Sequence, residues 1–193
     1  MFVSTVVEDD LSNAVLRKML NVTRPDIIVH SERVCGGFGD IKKGLHAFNC
    51  ASALRPWIVL TDLDAATCPP SLMAEWRGGI CLNPNLVFRV AVRSIESWLL
   101  EDRNAIASFL MIAVNRIPAY PEQVGDAKLE LIQLAKSARK KGVRQALVPV
   151  PGAVQGPDYN DCLSIFVDQH WDLSIARTNS QSLDRALMKV MAL

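Results

Sequence analysis

The chain opens on a short run of apolar, β-branched residues, Phe2 to Val7, that stops at Glu8-Asp9-Asp10. Leu11, Val15, Leu16, Met19 and Leu20 then recur at helical spacing, so the pattern predicts strand, acidic turn, helix. Asp26 to His30 reads as a second short strand, followed by a glycine-rich loop, Cys35 to Asp40, with the composition of a phosphate cradle, and a helix over 41–54. Pro56 to Leu60 is almost wholly apolar, which implies burial on both faces and a central place in a parallel sheet. It runs into Thr61-Asp62-Leu63-Asp64; Cys68-Pro69-Pro70 then breaks the chain, and a short helix fits Leu72 to Trp76. Leu86 to Val92 supplies a fourth strand, in which Arg89 marks a face that meets something polar.

From Ile95 onward the pattern is helical. Helices are predicted over Ile95–Leu110, Ala127–Lys141, Asp161–Trp171 and Ser182–Ala192, with Pro118, Pro121, Pro149, Pro151 and Pro157 at the joints. The whole is an α/β protein: a layer of about four mostly parallel strands over residues 1–94, and a mainly helical extension over 95–193 packed on it. At 193 residues a single core suffices, so 1–193 is read as one domain.

Composition narrows the class. Half of the residues are apolar and 21% charged, which excludes a disordered tail, a collagen-like fibre and a disulfide mini-protein. The net charge of +1 creates no global field toward nucleic acid or an anionic membrane, so any polyanion site must be a local patch. With no basic leader before an apolar stretch and no 18-residue uncharged run, the expectation is a cytoplasmic protein without membrane contact. The five cysteines are odd in number and never spaced as CxxC, so they are read as reduced thiols rather than as a disulfide framework or zinc site.

Carboxylates at strand ends carry the chemical signal. In an open parallel sheet the ligand crevice lies outside the carboxyl ends of the strands, where Glu8 after the first strand can meet Asp62 and Asp64 after the third. If that strand continues through Asp64, the two aspartates project to one face. Three such carboxylates repel one another unless a cation neutralises them, and an all-oxygen set without His or Cys selects Mg²⁺ or Mn²⁺. The plainer alternative is that Asp9, Asp10 and Asp64 serve helix starts.

Arg93 and Glu96 follow the fourth strand and can reach the same crevice. There Arg93 would bind a phosphate, and Glu96 would ligate metal or hold Arg93, unless the two are an ordinary ion pair at a helix start. Trp98 is read as core. Between Lys136 and Arg144, five of nine residues are basic; on one helix Lys136, Arg139, Lys140 and Arg144 would share a face, either as a site for nucleic-acid phosphates or as a solvated surface. His30, His46 and His170 are too scattered to assemble a nucleophilic unit.

Two resemblances follow from these residues. Val6-Val7-Glu8-Asp9-Asp10 with Thr61-Asp62 is similar to a phosphoacceptor receiver domain, but no Lys lies between Lys43 and Lys128 to serve as a receiver's fifth-strand lysine. Glu8 with Asp62-Leu63-Asp64 resembles the Glu and DxD motifs of TOPRIM domains, although Asp9 and Ser12 stand where such sequences often carry Gly and a second acid. Beyond these motifs, the segments 59–64, Cys68-Pro69, 88–102, Asp126-Ala127-Lys128, 156–159 and Ser182-Leu183 resemble a small bacterial family related to OLD-type nucleases.

That resemblance implies a TOPRIM-like Rossmannoid layer with catalytic Mg²⁺ or Mn²⁺ on Asp62, Asp64 and Glu8, the last as ligand or general base. Arg93, Glu96 and Lys128 would assist at the phosphate. It further implies cleavage of DNA or RNA in anti-phage defence or nucleic-acid processing, beside an ATPase partner. The alternatives are a non-catalytic module that keeps the fold to bind nucleic acid or a partner, and a receiver-like phosphoacceptor.

Overall fold

A computed structural model describes residues 1–193. The apolar runs become four strands: β1 (Phe2–Val7), β2 (Ile28–Val34), β3 (Trp57–Asp62) and β4 (Leu86–Ala91). All pair in parallel, in the order β2-β1-β3-β4. β1 and β3 lie inside and are buried on both faces, as their continuous hydrophobicity requires. β2 is an edge strand with mostly exposed residues, and it extends from Ile28 to Val34 instead of ending at His30. Pairing with β1 draws the polar stretch Ser31–Arg33 into the sheet, which hydrophobicity alone does not signal.

Side-chain alternation divides the core. Val3, Val7, Ile58, Leu60, Val87 and Ala91 face α1 (Asp10–Thr23) and the C-terminal helices, forming with them a core of 39 buried residues. Val6, Val59, Leu86, Phe88 and Val90 face α2 (Phe38–Ala51) and α3 (Pro69–Arg77), in a second core of 10. Only α1 from the N-terminal half covers the first face, so the C-terminal helices complete that layer. Arg89 points to this face, where the nearest influential charge is Arg185 and its Nε finds no partner. The polar neighbour expected for Arg89 is therefore another cation.

The predicted helix over 95–110 is two helices, α4 (Ile95–Leu100) and α5 (Arg103–Leu110). Asp102 breaks it: one carboxylate oxygen caps α5 at Ala105 N–H (3.1 Å) and the other accepts Asp172 N–H (2.9 Å). The predicted helix over 127–141 also divides, into α6 (Ala127–Lys136) and α7 (Lys141–Leu147). Buried Ala138 and the bond from Arg139 N–H to Leu110 C=O (3.2 Å) pin the link between them. Lys136, Arg139, Lys140 and Arg144 thus do not share one helical face. Lys136 ends α6, Arg139 and Lys140 lie in the link, and Arg144 on α7 donates to Ala138 C=O (3.1 Å). The remaining helices are α8 (Tyr159–Gln169), α9 (Leu173–Asn179) and α10 (Gln181–Met191); α9 is absent from the hydrophobic pattern. No helix is long and apolar enough to cross a membrane.

Candidate functional site

From β1 the chain crosses to β2 on one side, then returns over the sheet to β3 on the other, so the strand order reverses between β1 and β3. Crevices form at the carboxyl ends of such a pair. Those ends carry Glu8 and Asp62. Glu8 Oε1 accepts bonds from the Thr61 hydroxyl and from Asp62 N–H (2.8 Å), which lock it beside β3, while its Oε2 accepts no protein donor. The glycine loop hangs on the same strand end: Gly36 N–H donates to Glu8 C=O (2.7 Å). Gly36 at φ 74° and Gly37 at φ 145° supply conformations that a side chain would strain, and α2 begins at Phe38 rather than Ile41.

β3 ends at Asp62, so strand alternation does not align Asp62 with Asp64. Instead Asp64 adopts a left-handed turn (φ 49°), which aspartate tolerates, with its N–H bonded to Arg93 C=O (3.0 Å). The turn still brings both carboxylates to one cleft of about 350 Å³, which Arg93, Glu96, Asp126 and Lys128 also line. A larger cleft of about 550 Å³ lies among the C-terminal helices. The strand-end cleft is the candidate site because four acids, Lys128 and Arg93 meet there at the topological switch.

Each side chain has an identifiable support. Asp62 Oδ1 accepts Ile95 N–H at the start of α4 (3.0 Å), and Oδ2 accepts no protein donor. Arg93 donates to the carbonyls of Asp64 (3.2 Å) and Ala66 (2.8 Å), so it braces the loop after β3. Buried Glu96 accepts the Tyr159 hydroxyl (3.1 Å) on one oxygen and the Ser94 hydroxyl (2.7 Å) on the other. Lys128 Nζ stands 3.8 Å from Glu96 Oε1 and 5.1 Å from the centre of the Tyr159 ring. Asp126 caps α6 at Leu129 N–H (2.8 Å), which fixes the turn that delivers Lys128.

Tyr159, Ser94 and Asp126 are additions that chemistry-first reading of the sequence did not assign. Tyr159 reaches Glu96 because its chain segment packs against the end of α7, where a Cβ on Gly156 would overlap the Ala146 carbonyl. Trp98 is fully buried and donates to the Ser182 hydroxyl (2.6 Å), as a core residue should. Asp9 is the N-cap of α1, accepting Ser12 N–H (2.8 Å). None of the five basic residues from Lys136 to Arg144 lines the strand-end cleft.

The electrostatics are those of crowded acids. Burial, then Glu96, Glu8 and Asp64, push the Asp62 carboxyl well above its ordinary value. Burial raises Glu8, partly opposed by its two hydrogen bonds. Asp64 is raised by burial, while Lys128 pulls it down. Ionised together, these groups favour a bound cation. The donor set is wholly oxygen and suits Mg²⁺ or Mn²⁺, with Asp62, Asp64 and the free oxygen of Glu8 as the ligands available. No three acidic, His or Cys side chains converge closely enough to hold a metal ion as they stand.

No protein-family model, curated protein or solved structure matches the chain.

Proposed function

We propose that the chain is a divalent-cation-dependent phosphodiesterase of TOPRIM type acting on nucleic acid. The observation that carries this reading is the meeting of Asp62, Asp64 and Glu96 with Lys128 in one cleft at the strand-order switch. Asp62 and Asp64 would hold the cation, with Glu8 beside them. When bound, that cation supplies a water of lowered pKa and relief of oxyanion charge.

The chain's own residues do the rest. Lys128, held by Glu96 and the Tyr159 ring, presents an ammonium to the phosphate and lessens its charge. Arg93 keeps the loop bearing Asp64 in place. Glu8, with one oxygen engaged and one free, is positioned to accept a proton.

The test incubates the protein with single- and double-stranded DNA and RNA in Mn²⁺, Mg²⁺ or EDTA, beside an Asp62→Ala/Asp64→Ala variant. Cleavage that needs metal and is lost in the variant is the expected result. Cleavage persisting in the variant, or none with any substrate and metal, overturns the proposal. One observation favours a second reading, a non-catalytic nucleic-acid-binding module: the acids do not form a finished cage. Such a module would bind equally well in EDTA and never cut.

A further inference from the structure

Asp62 and Asp64 line two clefts. The charged one holds Glu96, Asp126 and Lys128; the other, of about 250 Å³, is walled by Phe38, Leu63, Leu72 and Trp76. The two aspartates therefore form a partition with charge on one side and flat apolar surface on the other. With a cation on the acids, a ligand that spans both clefts would pair an anionic group with an apolar or planar part close by.

The aromatic wall is built from the sheet outward. Phe88, buried on β4, stacks against Trp76 of α3 (5.7 Å between ring centres, 25° between planes). Trp76 in turn stacks against Phe38 at the first turn of α2 (6.2 Å, 24°). The column starts in the core and ends on a Phe38 ring that is 52% exposed. Its rings are nearly parallel, and Phe38 and Trp76 both line the cleft, where a flat ligand can pack against them. At the rim, Lys42 and Glu75 pair at 2.6 Å and offer one donor and one acceptor to a ring edge.

We infer that this cleft is a nucleobase subsite, which takes a base of the strand whose phosphate lies at Asp62 and Asp64. The inference rests on the phosphodiesterase reading and adds the form of the substrate. A base must leave its stack and its pair to enter a side cleft, a cost that an unpaired strand does not pay, so the substrate is an unpaired strand. Stacking reads a π-face that every base has, and one ion pair at the rim reads little more. Sequence preference is therefore weak.

The experiment measures binding with Ca²⁺ in place of Mg²⁺, so that the acids carry a cation, and gels run in parallel check that the probes stay uncut. The probes are fluorescently labelled oligothymidine and oligouridine, the same DNA length carrying abasic spacers, and a duplex of that length. They are titrated against wild type, Phe38→Ala, Phe38→Leu and Phe38→Tyr. Wild type should bind the base-bearing strands about tenfold more tightly than the abasic strand or the duplex. Phe38→Ala and Phe38→Leu should lose that difference with abasic binding unchanged, and Phe38→Tyr should keep it. Leucine preserves apolar area without a flat ring, so its loss of discrimination separates stacking from folding or general hydrophobicity.

Equal binding of base-bearing and abasic strands by wild type, or discrimination that survives in both Phe38→Ala and Phe38→Leu, overturns the inference. So does a cleft that serves only a partner protein, which would leave every strand bound alike. Base-dependent binding without cleavage in any metal would sink the phosphodiesterase reading and leave the subsite standing. Metal-dependent cleavage that ignores missing bases would do the reverse.

Discussion

Asp62 is the residue on which the candidate site turns. Its carboxyl is buried among Glu96, Glu8 and Asp64, so its charged form is disfavoured in the folded chain. Asparagine keeps an oxygen for Ile95 N–H and removes the charge. Without metal at pH 8, Asp62→Asn should therefore melt higher than wild type. Millimolar Mn²⁺ should raise the melting temperature of wild type and leave that of Asp62→Asn unchanged. Scanning calorimetry reads both, and a variant that responds to Mn²⁺ like wild type removes Asp62 from the metal set. Tyr159 is the complementary case, since it lines no part of the cleft itself but donates to Glu96 and sets its ring beside Lys128. On the proposed phosphodiesterase reading, Tyr159→Phe should lower kcat about tenfold while Mn²⁺ affinity and KM stay near wild type, because the ring remains and only the hydroxyl that fixes Glu96 is lost.

Among the elements, the break between α4 and α5 matters most. α4 starts where Ile95 N–H meets Asp62 (3.0 Å), and just past its end the Glu101 carbonyl accepts Asn179 of α9 (3.1 Å). Asp102 makes the break with both oxygens, capping α5 and holding the chain ahead of α9. It is 1% exposed. Asp102→Ala takes the carboxylate partner from the part-buried N–H groups of Ala105 and Asp172 and should cost about 1–3 kcal/mol, read as a lower urea midpoint with unchanged m. The same substitution in a mere surface cap would cost about 1 kcal/mol or less.

Across the molecule, several buried acids share one sign of pH dependence. Burial and the neighbouring Glu122 push the Glu101 carboxyl up from 4.5 to about 7. Asp62, Glu8 and Asp64 are raised as well. A folded-state value above the unfolded one means the fold favours the protonated form. The stability from these groups is complete below their unfolded values and is lost as pH rises through the folded ones. Metal-free protein should thus become less stable between about pH 4.5 and 7, and Glu101→Gln should flatten that slope by about 1–3 kcal/mol. Thermal melts across the range in EDTA test this; a slope unaffected by Glu101→Gln would show that Glu101 is ionised without penalty. Mg²⁺ should restore stability only at the higher pH values, where the strand-end acids are charged.

The sequence by itself determined the α/β class, because short apolar, β-branched runs that end in polar turns alternate with segments of helical period. It also placed the acids, since a carboxylate directly after a buried strand has to emerge at the sheet's carboxyl edge. Tertiary structure decided what those acids meet. Strand alternation failed as the route to Asp64, which turns left-handed because Arg93 holds the loop. Glu96 and Lys128 lie far apart in the chain and meet only after α6 packs on α4, and Tyr159 reaches them from farther still. The single basic face predicted over 136–144 dissolved for the same reason: periodicity describes one helix at a time, whereas Ala138 is drawn inward by contacts with helices that no local pattern contains. The aromatic column from Phe88 through Trp76 to Phe38 likewise joins three elements. Its rings are separated in the sequence by other residues, and only the packing of α2 and α3 on one sheet face stacks them beside Asp62 and Asp64.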